Sequence, residues 1–167
     1  HRRENWGAPL ESICKGLKMI IEKHLNIIII IPLHPNNAVR EIIKNTLSSF
    51  SRAILIEPLP YDELVHLIKK SKLVLTDSGG LQEEAPALGK PVLVLRGNTE
   101  RIEALKAGTA KLVGTNSDTI FQACDSLLTN KDLYEKMAKS INPYGDGKSS
   151  KLIVAECLNF LKKVSKT

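Results

Sequence analysis

Aromatic residues are scarce in this chain: three Phe, three Tyr and one Trp make up 4% of its 167 residues. A nucleic-acid groove stacks bases on aromatic rings and tracks phosphates with a clustered basic stripe. Lys and Arg outnumber Asp and Glu by 24 to 18, a net charge of +6. They are scattered, however, with small knots only at Arg2-Arg3, Lys69-Lys70 and Lys162-Lys163. Solvated faces account for those knots, and the positive excess still permits an acidic small ligand such as a nucleotide. Cysteine is sparse too. Cys14, Cys124 and Cys157 are far apart, with no zinc spacing, and each falls on an apolar helical face, so reduced, buried thiols are expected. The five isoleucines at 27–31 are far short of the ~20 apolar residues of a membrane span and suit a central strand. No Walker-type loop, no Ser-His-Asp set and no metal cluster can be assembled. The expectation is a cytoplasmic protein using no metal and no cofactor, with neither nucleic acid nor membrane as partner.

What is present is an alternation of short β-branched runs with segments of helical period. The pattern predicts a helix from Pro9 to about Lys23, striped by Ile13, Leu17, Ile20 and Ile21. Strands are predicted at 27–31, 53–56, 73–75, 92–95 and 111–113. Helices are predicted at 39–47, 61–71, 81–88, 102–107, 117–128, 133–139 and 149–164. Such alternation implies a Rossmann-like parallel sheet with helices on both faces and right-handed crossovers. One domain is expected, with an α/β core over residues 1–147 and a terminal helix over 148–167. The first loop and helix have no strand ahead of them, although the rhythm calls for one. The chain also opens without Met in His1-Arg2-Arg3-Glu4-Asn5. A piece of something longer, lacking the first strand of its sheet, is the expectation.

The stretch Thr76-Asp77-Ser78-Gly79-Gly80-Leu81-Gln82-Glu83-Glu84 stands between an apolar strand and a helix that Gly89 and Pro91 stop. A strand ending in Ser-Gly-Gly and turning into a helix presents backbone N–H groups and a helix dipole to an anion, above all a phosphate. The glycines remove the Cβ atoms that would hold a diphosphate off the backbone, and Ser78 occupies the N-cap position. Glu83 and Glu84 fall one turn inside the helix and suit sugar hydroxyls; they point about 100° apart, so at most one serves the site. The plain alternative is a Gly-rich turn with a serine cap. Arg101 follows a strand at the same mouth, where its guanidinium suits a phosphate; the alternative is an ion pair with Glu100 or Glu103. His34, between Pro32 and Pro35, is a second strand-end candidate, with a capping or packing role as its alternative. His24 and His66 are expected on the surface. His1, Arg2 and Arg3 either face the diphosphate or are simply solvated.

These residues, taken in order, carry a resemblance. His1-Arg2-Arg3-Glu4-Asn5, Pro32-Leu33-His34, Ile56-Glu57-Pro58-Leu59, Leu75 to Gly80, Gln82 to Pro86, Leu88 to Val92, Thr99-Glu100-Arg101 and Asn142-Pro143-Tyr144-Gly145-Asp146-Gly147 resemble the C-terminal half of the non-hydrolysing UDP-N-acetylglucosamine 2-epimerases. The resemblance implies the second Rossmann-like domain of a glycosyltransferase-B arrangement. It implies interconversion of UDP-GlcNAc and UDP-ManNAc, for bacterial surface polysaccharides, by elimination and re-addition of UDP. Carried over by motif, Ser78, Gly79 and Gly80 bind the diphosphate and Glu84 the ribose. Arg101 and His1 approach the phosphates, with His1 in a catalytic role. Uracil lies against the 57–61 loop at Leu59 and near Leu64, which stands where some relatives carry an aromatic. Arg2 and His34 match positions that touch a second, activating UDP-GlcNAc in some bacterial members. The family's proton-transferring carboxylates belong to an N-terminal domain outside this chain, which the terminal helix would reach. The chain alone is then an inactive UDP-binding half of an enzyme that dimerises. A stand-alone UDP-sugar-binding module and a glycosyltransferase donor domain are the alternatives.

Overall fold

The computed structural model describes residues 2–145 and 147–164. A single 3₁₀ turn, Arg3–Asn5, precedes α1 (Ala8–Lys23), and then strand and helix alternate: β1 (Ile29–Pro32), α2 (Asn37–Leu47), β2 (Ala53–Ile56), α3 (Tyr61–Lys70), β3 (Val74–Thr76) and α4 (Gly79–Ala87). The series continues with β4 (Val92–Val94), α5 (Ile102–Ala107), β5 (Ala110–Leu112), α6 (Ser117–Thr129), α7 (Lys131–Ala138) and α8 (Ser149–Val164). Every expected element is found, with boundaries moved by a few residues. The helix starts move for a visible reason. Asn36 accepts from the Ala38 N–H and Asn130 from the Leu133 N–H, so α2 and α7 begin two residues before their apolar periodicity does.

All pairing is parallel, but in two ladders rather than one sheet. β1 pairs with β2, and β4 sits between β3 and β5. Among the described residues no ladder joins β1 to β3. The physical consequence is in the burial. All three residues of β4 are buried, whereas Ile29, Ile30 and Ile31 of β1 are only half-buried and Ile28 is 59% exposed. The isoleucine run expected in a central strand therefore lies on an edge.

Side chains of β4 alternate between two cores, as the pleat requires. On one face Leu93 and Leu95 pack with Ile13 and Ile20 of α1, Ile120, Ala123, Cys124 and Leu127 of α6, and Met137 of α7. On the other, Val92 and Val94 pack with Ile68 of α3, Ala85 of α4, Ala104 of α5 and Ala110 of β5. A third cluster joins Leu10, Cys14 and Ile21 of α1 to Val39, Ile43 and Leu47 of α2. The helix α1 is thus apolar on two flanks. Gly16 allows α6 to come close, because a Cβ there would meet Ser117 O at 3.0 Å and Ile120 Cβ at 3.2 Å. Two long-range polar contacts tie the edges down. Arg52 donates to the carbonyls of Ile21, His24 and Ile27 around the α1 terminus. His24, expected on the surface, instead bridges α1 to α6 through Asp125 at 2.9 Å with its side chain 13% exposed. His66 stays exposed on α3, against the Asp62 carbonyl.

Cys14 and Cys124 are buried, and burial pushes their thiols up to about 11 and about 12. Cys157 breaks the expectation of three buried thiols: it is exposed on α8. Every residue of that helix is exposed, including Leu152, Ile153, Phe160 and Leu161. The apolar face that carries Cys157 is thus open to solvent along the described helix. Among the described residues no helix is long and apolar enough to cross a membrane, and no group of three His, Cys, Asp or Glu side chains could hold a metal ion.

Candidate functional site

The carboxyl ends of β3 and β4 carry the candidate residues. After Thr76, the chain turns through Asp77 and Ser78 and enters α4 at Gly79, two residues earlier than the periodicity of 81–88 suggested. With no side chains at Gly79 and Gly80, the apolar pattern had nothing to register there. Ser78 is the N-cap, as expected, but its hydroxyl makes no capping bond; its N–H donates to Thr76 Oγ1 at 3.0 Å. The first-turn N–H groups of α4, which no helical carbonyl can reach, are therefore left to the crevice. Neither glycine has a positive φ. Gly79 is closely approached: a Cβ there would lie 3.3 Å from Glu100 Oε1 and 3.4 Å from Arg101 Nη2, a tight fit that would press both side-chain ends back by a few tenths of an ångström. The turn and the guanidinium, 22 positions apart in sequence, are therefore neighbours. At Gly80 a Cβ would meet Glu84 Oε1 at 3.6 Å and Ser78 Oγ at 3.9 Å, so Glu84 folds back over the first turn.

Arg101 is the N-cap residue of α5. Its Nε donates to Glu83, and its Nη1 is 3.5 Å from Glu100 Oε1. The ion-pair alternative thus holds for Glu100, not for Glu103, and Glu83 is an additional partner. The two adjacent glutamates divide their work: Glu83 holds Arg101, while Glu84 sits beside Gly80. The bond to Glu83 raises the Arg101 pKa further above its ordinary value. Glu100 is held below the usual glutamate range, first by a hydrogen bond with its own backbone, then by Arg96 and Arg101. An anionic ligand would meet a guanidinium already compensated by two carboxylates and would have to displace or share them.

The opening loop reaches this mouth. The Arg2 N–H donates to Asp77 Oδ2 at 2.7 Å, and Asn5 Nδ2 donates both to Asp77 Oδ2 at 3.0 Å and to the Leu95 carbonyl at 3.1 Å. Burial pushes the Asp77 carboxyl up, yet hydrogen bonds, those of Arg2 and Asn5 among them, outweigh it and hold the group below the ordinary aspartate value. Arg96, 9% exposed, donates to Glu4 at 2.8 Å and to Glu100 at 3.1 Å. Asp77, Asn5 and Arg96 were not singled out from the sequence. Apart from the Arg96–Glu100 pair, their partners lie 72–92 positions away, where no local spacing can show them.

The remaining candidates spread out. His1 lies outside the described residues, as does Asp146 of the Asn142–Gly147 motif. Leu59 is half-buried in the loop after β2. Leu64 is half-buried against the core around Val92 and Val94, as are Val74, Leu81 and Tyr144. His34 accepts from the Asn36 N–H at 3.2 Å through Nδ1, a local turn contact just ahead of α2. Arg2 is therefore gathered to the Ser78–Arg101 mouth, while His34 sits at the end of β1, in the other ladder.

Three comparisons bear on this geometry. The family model described as UDP-N-acetylglucosamine 2-epimerase matches residues 1–158. A Bacillus subtilis UDP-N-acetylglucosamine 2-epimerase is 48% identical over 158 residues, covering 95% of this chain and 42% of its own length. Among solved structures, the S. aureus MnaA co-structure with UDP superimposes with a TM-score of 0.93 at 45% identity, over 97% of this chain and 44% of that one. The Neisseria meningitidis UDP-GlcNAc 2-epimerase bound to UDP-GlcNAc gives 0.91 at 48% identity, over 95% of this chain and 43% of that one. The chain spans less than half the length of the relatives it matches.

Proposed function

Because the chain belongs to the UDP-N-acetylglucosamine 2-epimerase family, we propose that it supplies the UDP-binding half of an enzyme interconverting UDP-GlcNAc and UDP-ManNAc. One observation supports this above the others: the Ser78-Gly79-Gly80 start of α4 and the Arg101 guanidinium, on separate strand-end loops, meet at Gly79. A helix N-terminus free of its own cap, facing a guanidinium, fits the two phosphates of UDP. Ser78, Gly79 and Gly80 bind the diphosphate, Arg101 neutralises it, and Glu84 takes the ribose hydroxyls. Uracil lies toward Leu59 and Leu64. His1 approaches the phosphates, and Arg2, with His34, belongs to the second, activating sugar-nucleotide site.

The chemistry asked of this half is electrostatic. The reaction removes UDP from C1 and the proton from C2 to leave a 2-acetamidoglucal, then re-adds UDP at C1 and returns a proton to the opposite face of C2. Donors fixed in advance stabilise the charge that gathers on the departing diphosphate without having to reorganise. The proton-moving carboxylates lie in the portion of the relatives' length that this chain does not span, so the 167 residues bind UDP and do not turn over. The exposed apolar residues of α8 pack against that portion. The whole enzyme acts as a cytoplasmic dimer in the synthesis of bacterial surface polysaccharide.

Calorimetric titration with UDP tests the binding half of this reading. Saturable binding is expected, and Arg101→Ala is expected to weaken it by about 1.5–3 kcal/mol, the range for a hydrogen bond to a charged group. An unchanged dissociation constant would remove Arg101 from the site, and no binding by the unsubstituted chain would remove the site itself.

A further inference from the structure

The geometry points to Gln82 and Thr99 as positioning residues: a hydrogen-bonded relay that fixes the Ser78 turn and Arg101 at one spacing. Gln82 lies on α4 one turn beyond Ser78 and is fully buried, at 0% exposure. A buried amide must have its partners, and this one has them in opposite directions. Its Nε2 donates to the Ser78 carbonyl at 3.1 Å, and its Oε1 accepts from the Thr99 hydroxyl at 2.6 Å. The same hydroxyl accepts from the Arg101 N–H at 3.1 Å.

The polarity of this chain of bonds is locked from both ends. The Ser78 carbonyl can only accept, so the NH₂ end of Gln82 must face it. The Arg101 N–H can only donate, so the Thr99 hydroxyl uses a lone pair there and its proton on Gln82. An amide at 82 and a hydroxyl at 99 satisfy both constraints; an ionised glutamate at 82 would set an acceptor against the Ser78 carbonyl. The relay joins the N-cap of α4 to the N-cap of α5, the two residues named above for the phosphates. It therefore rests on the UDP reading: the relay holds the anion-binding groups in register and leaves the nucleoside end alone.

Thr99→Val removes the hydroxyl and keeps the shape, and Thr99→Ser restores the hydroxyl without the methyl. In the ligand-free protein, T99V is expected to speed exchange of the Arg101 amide proton at least tenfold. It should also move the amide signals of Ser78–Gly80 on the other loop. T99V should weaken UDP roughly three- to tenfold, the equivalent of one hydrogen bond, and leave uridine within about twofold. T99S is expected to recover all of these. Gln82→Met should reproduce T99V, and the double variant should lose little more, since both break one relay. The relay is refuted if T99V leaves the Arg101 exchange and the Ser78–Gly80 signals unmoved, or if T99S is as impaired as T99V. Equal loss of UDP and uridine would refute its selectivity for the phosphate end. An unsubstituted chain that binds no UDP overturns the functional reading instead, and the ligand-free signals still decide whether the relay exists.

Discussion

Ser78 does less for its helix and is more available to a ligand than its position suggests. An N-cap serine ordinarily spends its hydroxyl on the first turn; here it makes no capping bond. Ser78→Ala should therefore cost the fold little, within about 0.5 kcal/mol, while weakening UDP more than uridine. Equal losses for both ligands, measured by titration, would contradict a role at the phosphates. At this scale the pattern Ser-Gly-Gly plus a strand-end arginine was legible, because each residue has a local reason to be where it is. The residues that organise the mouth were not. Asp77 and Arg96 look in sequence like ordinary solvated charges, yet both are buried and bonded across the fold. Gln82 and Thr99 stood inside quoted motifs without a role, because a relay between two loops has no period.

Among the elements, the alternation of strand and helix was readable from hydrophobic period alone, and all thirteen regular elements that the period predicts are present. Their ends were less so. Asparagine caps at 36 and 130 pulled two helices forward, and glycines hid the start of α4. The division into two ladders was not read, since a run of isoleucines says nothing of which neighbour it pairs with. Half-buried strands, β1 and β3, flank the break between the ladders. The α1–α6 contact supplies a test of packing. Gly16→Ala would add about 0.5–1 kcal/mol of helix preference. It would also drive a methyl onto the Ser117 carbonyl at 3.0 Å, and overpacking of this kind costs about 1–3 kcal/mol. A backbone carbonyl cannot rotate aside, so the second term should win. A net loss near 1 kcal/mol is expected from the denaturant midpoint; a gain would show that α1 and α6 are free to separate.

As a whole, the molecule combines a well-packed core with surfaces that its own described residues do not cover: the edges of β1 and β3, and all of α8. The mouth at Ser78–Arg101, by contrast, is assembled within the chain, through contacts that join its opening loop, α4 and the loop after β4. That contrast makes the central claim testable with these residues alone. The measurement is an amide NMR titration with UDP. The account predicts a dispersed spectrum in which saturable shifts cluster at Ser78–Glu84 and at Arg101, with the α8 signals unmoved. A dispersed spectrum whose Ser78–Glu84 and Arg101 signals stay fixed as UDP is added would contradict it.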